Sequence, residues 1–248
     1  MDITNFISPK QLIEMKKDIV QQALARANPI LCIEYDCGVL LLAENPSVSL
    51  NKISEIYDKI VFAGTGVYND YERLRKEGVR YADLKGFMYS REDVMAKSLA
   101  SEYSSILGEI FSRQQVALEV EILVAEIGDA REETRMYRIP FTGGLIEEHL
   151  FSAIGDIFRD KESGDLKTNL LQRNLKESDL NGEQSIADTF RIGYRALVET
   201  KDEGEISPES LEVVILDRTL SSSRKFRRLV PSEIAELIGP EEEESDDK

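Results

Sequence analysis

Apolar residues in this chain switch between helical and strand-like spacing in blocks, and the order of the blocks is the tightest constraint on the fold. From the N-terminus it runs α, β, β, β, α, α, β, β, α, α, then a final strand and a short helix. Helices come in pairs between hairpins, not singly between strands. Single helices between strands would make right-handed crossovers and a parallel sheet; paired helices point to antiparallel sheets with the helices outside them. The fold class expected is therefore α+β, a four-layer αββα sandwich with a long N-terminal helix.

The blocks have recognisable ends. Ser8 is placed to cap the first helix, with Pro9 at its first turn and Gln11 at the capping-box position; Ile7 and Leu12 fall where a hydrophobic staple would sit. Leu12, Ile13, Met15, Ile19, Val20, Ala23, Leu24 and Ala27 form a broad apolar stripe, and Asn28-Pro29 ends the helix. Residues Ile30–Glu44 read as two strands around a turn at Asp36–Gly38, followed by a polar loop, Asn45–Ser54, and a third strand, Asp58–Ala63. A helix over Asn69–Glu77 is expected to stop at Gly78. A second long helix is expected from Ser90, with Met95, Leu99, Tyr103, Ile106 and Ile110 on one face. Strands follow at Leu118–Ile127 and Met136–Phe141, helices around Leu166–Leu175 and Ile186–Thr200, a strand at Leu211–Asp217, and a short helix opened by Pro231. No repeat or linker divides the chain. The expected organisation is an N-terminal tail over residues 1–8, one domain over 9–238, and an acidic tail over 239–248.

Charge narrows the function. The 248 residues carry 31 Lys and Arg against 47 Asp and Glu, a net charge of −16, which repels phosphate backbones and argues against nucleic acid as a partner. The last ten residues, GPEEEESDDK, hold six acids and one lysine, a solvated terminal block. The 42% apolar content supports a sizeable core, no run reaches the ~18 apolar residues of a membrane span, and MDITNFIS lacks a secretory pattern. The expected setting is soluble and cytoplasmic, with no membrane partner.

Most chemical motifs fail on inspection. Cys32 and Cys37 with the single His149 support neither a disulfide framework nor a zinc site; buried thiols and a structural histidine are expected, with no metal and no cofactor. Gly64-Thr-Gly66 follows a strand, but Asn69 replaces the third glycine of a dinucleotide turn, and a tight strand-to-helix connection explains both glycines. Ser49-Leu-Asn-Lys52 matches the S-x-x-K pattern of acyl-transfer enzymes, but the companion elements are missing. One chemistry suits the architecture: hydrolases whose first-strand residue supplies both a nucleophilic side chain and its free α-amine as base. That requires Thr, Ser or Cys before the first strand. This chain has Asn28-Pro29 there, behind a capped helix.

Four segments carry a family resemblance: FISPKQ (6–11), YDCGVLLLAENPSVSLNKISEIYDKI (35–60), YNDYERLRKEGVRYADLKGF (68–87) and LEVEILVAE (118–126). Through them the chain resembles the α-subunits of bacterial 20S proteasomes of the actinobacterial type. The resemblance implies a non-catalytic subunit of a homo-heptameric ring that caps catalytic β-rings in the order α7β7β7α7. It implies that the first helix lies across the cleft β-subunits leave open, and that Met1, Asp2, Ile3, Thr4, Asn5, Phe6, Ile7 and Ser8 form the pore gate. Glu44 stands where catalytic subunits carry a functional aspartate and Lys52 where they carry the catalytic lysine. In α-rings that lysine is implied to pair with the C-terminal carboxylate of a docking activator, with Arg26, Gly66 and Val67 as pocket neighbours. The implied partners are a β-subunit, a hexameric ATPase unfoldase acting through its C-terminal tails, and unfolded substrates tagged with prokaryotic ubiquitin-like protein. The alternatives are a self-processing threonine hydrolase forming a homomeric ring, and a binding scaffold with an acidic tail.

Overall fold

Ser8 opens the first helix, α1 (Pro9–Leu24), with the expected capping box: its Oγ accepts from Gln11 N–H at 3.3 Å and its own N–H donates to Gln11 Oε1 at 2.9 Å. The computed structural model describes residues 8–47, 49–160, 163–201 and 206–239. Ile7 of the expected staple, the gate residues before it and all but Gly239 of the acidic tail lie outside them. The helix ends at Leu24, three residues before Ala27, in a turn that runs into Asn28.

Two five-stranded antiparallel sheets follow. One has the order β12-β11-β2-β1-β8, built from β1 (Ile30–Tyr35), β2 (Gly38–Glu44), β8 (Phe151–Ile154), β11 (Leu211–Asp217) and β12 (Phe226–Arg228). The other is β3-β4-β5-β6-β7, from β3 (Ile53–Tyr57), β4 (Ile60–Gly66), β5 (Val120–Glu126), β6 (Arg135–Pro140) and β7 (Ile146–Glu148). Helices α2 (Tyr68–Met88) and α3 (Ala96–Arg113) cover the second sheet; α4 (Leu170–Glu177), α5 (Ile186–Val198) and α6 (Pro231–Ile238) cover the first. A small ribbon pairs β9 (Ile157–Arg159) with β10 (Leu166–Thr168). This is the expected four-layer sandwich.

The layering explains why the strands read as continuous apolar runs. In β1, Leu31, Ile33 and Tyr35 face the α4–α6 layer, while Ile30 and Cys32 face the other sheet. Both faces are buried, so no polar alternation survives. Each such Leu or Ile contributes roughly 1.5–3 kcal/mol by leaving water, and truncating one to Ala costs about 2–5 kcal/mol.

Several boundaries differ from expectation. The loop assigned to Asn45–Ser54 is shorter, because ISEIY at 53–57 pairs with β4 as a hairpin; a single strand at Asp58–Ala63 was expected there. As the edge strand of its sheet, β3 keeps Ser54 and Glu55 only partly buried, which weakened its pattern. Gly78 does not stop α2. It lies mid-helix because the Tyr103 hydroxyl fills the space a β-carbon would take. Ser90 caps only a short 3-10 turn, Arg91–Asp93, and α3 starts at Ala96 with Met95 exposed; its buried face is Leu99, Tyr103, Leu107 and Ile110, with Ile106 only partly covered. The helix expected from Leu166 begins as β10, and α5 ends at Val198 instead of Thr200. Short strands β7, β8 and β9 lie in the 130–185 region, where spacing predicts none after Phe141. Cys32 is buried and Cys37 partly so, both as free thiols. His149 is exposed, not a core residue, and sits at the rim of a cleft with Glu34 and Arg131.

Helix α1 buries only Val20 and Leu24 of its apolar stripe, against Ala117 and Phe141. Leu12, Ile13, Met15 and Ile19 are 40–54% exposed. The buried polar residue on this helix is Lys16. Its Nζ donates to the carbonyls of Phe111 at 3.0 Å and Gln114 at 2.5 Å and stands over the Phe111 ring. The ammonium thereby completes the C-terminal turn of α3, where unpaired carbonyls and the helix dipole favour a cation.

Candidate functional site

Lys52 ends the loop between β2 and β3, and the loop is tied into shape by its own side chains. Asn45 Oδ1 accepts from Ser47 N–H at 3.1 Å, Ser47 Oγ from Leu50 N–H at 3.1 Å, and Asn45 Nδ2 donates to Leu50 O at 2.6 Å. These are the local bonds by which Asn and Ser hold turns. At the loop's end the Lys52 carbonyl accepts from Gly64 N–H at 3.0 Å, placing the lysine beside β4 two residues before Gly66.

The Lys52 ammonium turns inward. Its Nζ donates to Asn28 O at 2.8 Å, and Thr65 Oγ1, wholly buried on β4, donates to the same oxygen at 2.9 Å. Asn28 is anchored in turn, its Nδ2 donating to Glu44 O at 3.4 Å. Glu44 itself forms an ion pair with Lys201. Burial pushes the Lys52 ammonium down to about 8, against the opposing pull of the carboxylates Glu212 and Glu44. It remains a cation near neutrality.

The sequence-assigned neighbours fall on three segments that adjoin Thr65 and Asn28 along the chain. Gly66 ends β4 at φ +110°, a conformation open to glycine, with the Glu119 main chain where a side chain would begin. Val67 precedes α2, 40% exposed, its N–H donating to Glu119 O at 2.9 Å. Arg26 is exposed in the turn after α1, two residues before Asn28. Ser8 is at the opposite end of α1, and Met1 to Ile7 lie outside the described residues. Sequence reasoning missed Glu212, which accepts from the N–H groups of both Lys52 and Ile53 at 2.9 and 3.0 Å. The available signal was a lone acid in the apolar run LEVVIL (211–216).

At the place where this architecture can carry a nucleophile, before β1, stand Asn28 and Pro29. The lysine there serves a main-chain carbonyl. The family model for "Proteasome subunit" matches residues 24–216, and the chain belongs to the proteasome subunit family. Within that family it is similar to the α type along nearly its whole length. The "Proteasome subunit alpha" of Arthrobacter sp. (strain FB24) is 40% identical over 240 residues, covering 95% of this chain and 97% of that one. The proteins of the same name from Nocardioides sp. (strain ATCC BAA-499 / JS614) and Streptomyces coelicolor are each 38% identical, covering 96% and 94% of this chain and 90% and 89% of theirs. Among the described residues no helix is long and apolar enough to cross a membrane.

Proposed function

We propose that this chain is the non-catalytic α-ring subunit of a bacterial proteasome core particle, gating substrate entry and docking an ATP-dependent activator. The observation that carries the reading is the group before β1. An N-terminal nucleophile needs a free amine beside the lysine, whereas here Lys52 and Thr65 converge on the carbonyl of Asn28, inside a continuous chain. Peptide cleavage would then belong to a partner β-subunit.

The exposed face of α1, with Leu12, Ile13, Met15 and Ile19, supports contact with a neighbouring subunit, since apolar patches of this kind mark interfaces. A seven-membered ring would bring seven α1 N-termini together at the axis, with residues 1–8 as the gate and Ser8 fixing where each begins. Lys52, Arg26, Gly66 and Val67 would form the pocket for the C-terminal carboxylate of a hexameric ATPase, which delivers tagged, unfolded substrates in the cytoplasm. The test is co-expression with the cognate β-subunit. Seven-fold rings capping a four-ring cylinder, with no peptide hydrolysis by this chain alone, are expected. Threonine-inhibitor-sensitive hydrolysis by the lone chain, with its N-terminus removed as seen by mass spectrometry, would overturn the reading in favour of a self-processing hydrolase.

A further inference from the structure

In a regular antiparallel strand a residue's N–H and C=O face the same neighbour. Lys52 departs from this. Its C=O turns to Gly64 on β4, while its N–H turns the opposite way, to Glu212 Oε2 on β11 of the other sheet. The next residue, Ile53, directs both its main-chain groups to that side: its N–H donates to Glu212 Oε1 at 3.0 Å, and its C=O accepts from Arg228 Nη2 at 2.6 Å.

Glu212 holds this turn from a position 7% exposed. Besides the two N–H groups it accepts from Asn45 Nδ2 at 2.7 Å and from the Arg228 guanidinium, so both its oxygens are fully engaged. A carboxylate is the side chain that can do this, because all four partners are donors. Arg228 balances its charge, and Asn45 ties it to the loop through Leu50. Edge strand β3, the loop before it and the last two strands of the facing sheet meet on one group.

We infer that Glu212 is the positioning residue for Lys52: it fixes the backbone twist from which the lysine side chain leaves, and hence where the ammonium stands for a carboxylate ligand. The inference rests on the docking role proposed for Lys52. The same carboxylate favours the charged lysine, as does Glu44, whose own partner is Lys201.

The experiment uses assembled α/β particles and two probes, a fluorescent decapeptide copying the C-terminus of the cognate ATPase and its amidated twin. Wild-type particles are expected to prefer the free carboxylate, and Lys52→Ala to abolish the preference; retention of the preference in Lys52→Ala would overturn the docking role itself. With that control met, Glu212→Gln is expected to weaken carboxylate binding at least ten-fold in intact rings. It should also lower the pH midpoint at which Lys52 becomes reactive to an amine-directed label, which a merely structural residue would not do. Full affinity with an unmoved midpoint would overturn the inference. If Glu212→Gln fails to assemble, Asn45→Ala, which removes one of the four donors, is expected to give a smaller loss of the same kind; unchanged affinity there would overturn the inference equally.

Discussion

The hydroxyl of Tyr103 on α3 occupies the space that a β-carbon on Gly78 of α2 would fill, and donates to Leu74 O one turn earlier at 3.0 Å. Two helices that cover the same sheet therefore meet with a side chain of one against the backbone of the other. The Tyr103 ring also packs on Phe62 of β4, its centroid 5.7 Å away, so the contact registers both helices against the strand below.

Gly78→Ala should destabilise the chain, against the usual ~1 kcal/mol gain of Ala over Gly within a helix. Overpacking of this kind costs about 1–3 kcal/mol, and displacing the hydroxyl also leaves a buried donor without its acceptor. Urea unfolding of the single and double variants with Tyr103→Phe checks this. A stabilised Gly78→Ala, or strict additivity in the double variant, would show that the two residues do not oppose each other.

Lys16→Met should leave the last carbonyls of α3 without their buried donor, at a cost of about 1–3 kcal/mol. The effect should be local. Hydrogen exchange is expected to accelerate at 110–114 and along α1, while β1 and β2 stay protected. Unchanged exchange at both helices would refute the clamp.

Lys52→Ala should abolish activator-dependent degradation of folded substrates while leaving ring assembly intact. One charge-assisted contact is worth about 1.5–3 kcal/mol, multiplied through effective concentration when several tethered tails engage. Lys52→Glu should be worse, since carboxylate would face carboxylate. Raised salt should weaken the wild type more than the Ala variant. A wild-type response from Lys52→Ala particles would return Lys52 to a structural role.

The same lysine imposes a pH dependence whose sign is fixed. Its proton is held to about pH 8 in the folded chain, and to about 10.4 when unfolded. Between these values the unfolded state binds the extra proton, so the Lys52 contribution raises stability as pH rises through that window; below about 8 it is constant. Relative to Lys52→Met, wild type should therefore gain stability from pH 8 to 10. Tail binding should run the other way, weakening above about 8 as the ammonium is lost. Parallel urea titrations and peptide-binding curves at pH 7, 8 and 9 test both signs.

Deleting residues 1–7 while keeping Ser8 should raise peptide hydrolysis by the assembled particle, because the helix cap survives and only the gate is removed. Unchanged hydrolysis in an intact particle would argue that the tail does not obstruct the pore.

Local chemistry was legible wherever a signal is complete within a few residues. The capping box at Ser8 and Gln11, the turn at 36–38, the apolar runs of β1, β2, β5 and β11, and the pairing of helices between hairpins all follow from spacing, and together they dictate a four-layer sandwich. The absence of a nucleophile before Pro29 is equally a property of the sequence. Tertiary structure decided what depends on neighbours distant along the chain. Gly78 continues a helix because Tyr103 stands beside it; ISEIY is a strand because β4 pairs with it; and Lys52 takes its direction from Glu212, 160 residues on. A residue's own preferences amount to a few tenths to about 1 kcal/mol, whereas a buried contact or an unsatisfied buried donor is worth several times that. Sequence spacing records the first, and only the folded chain brings together the partners that set the second.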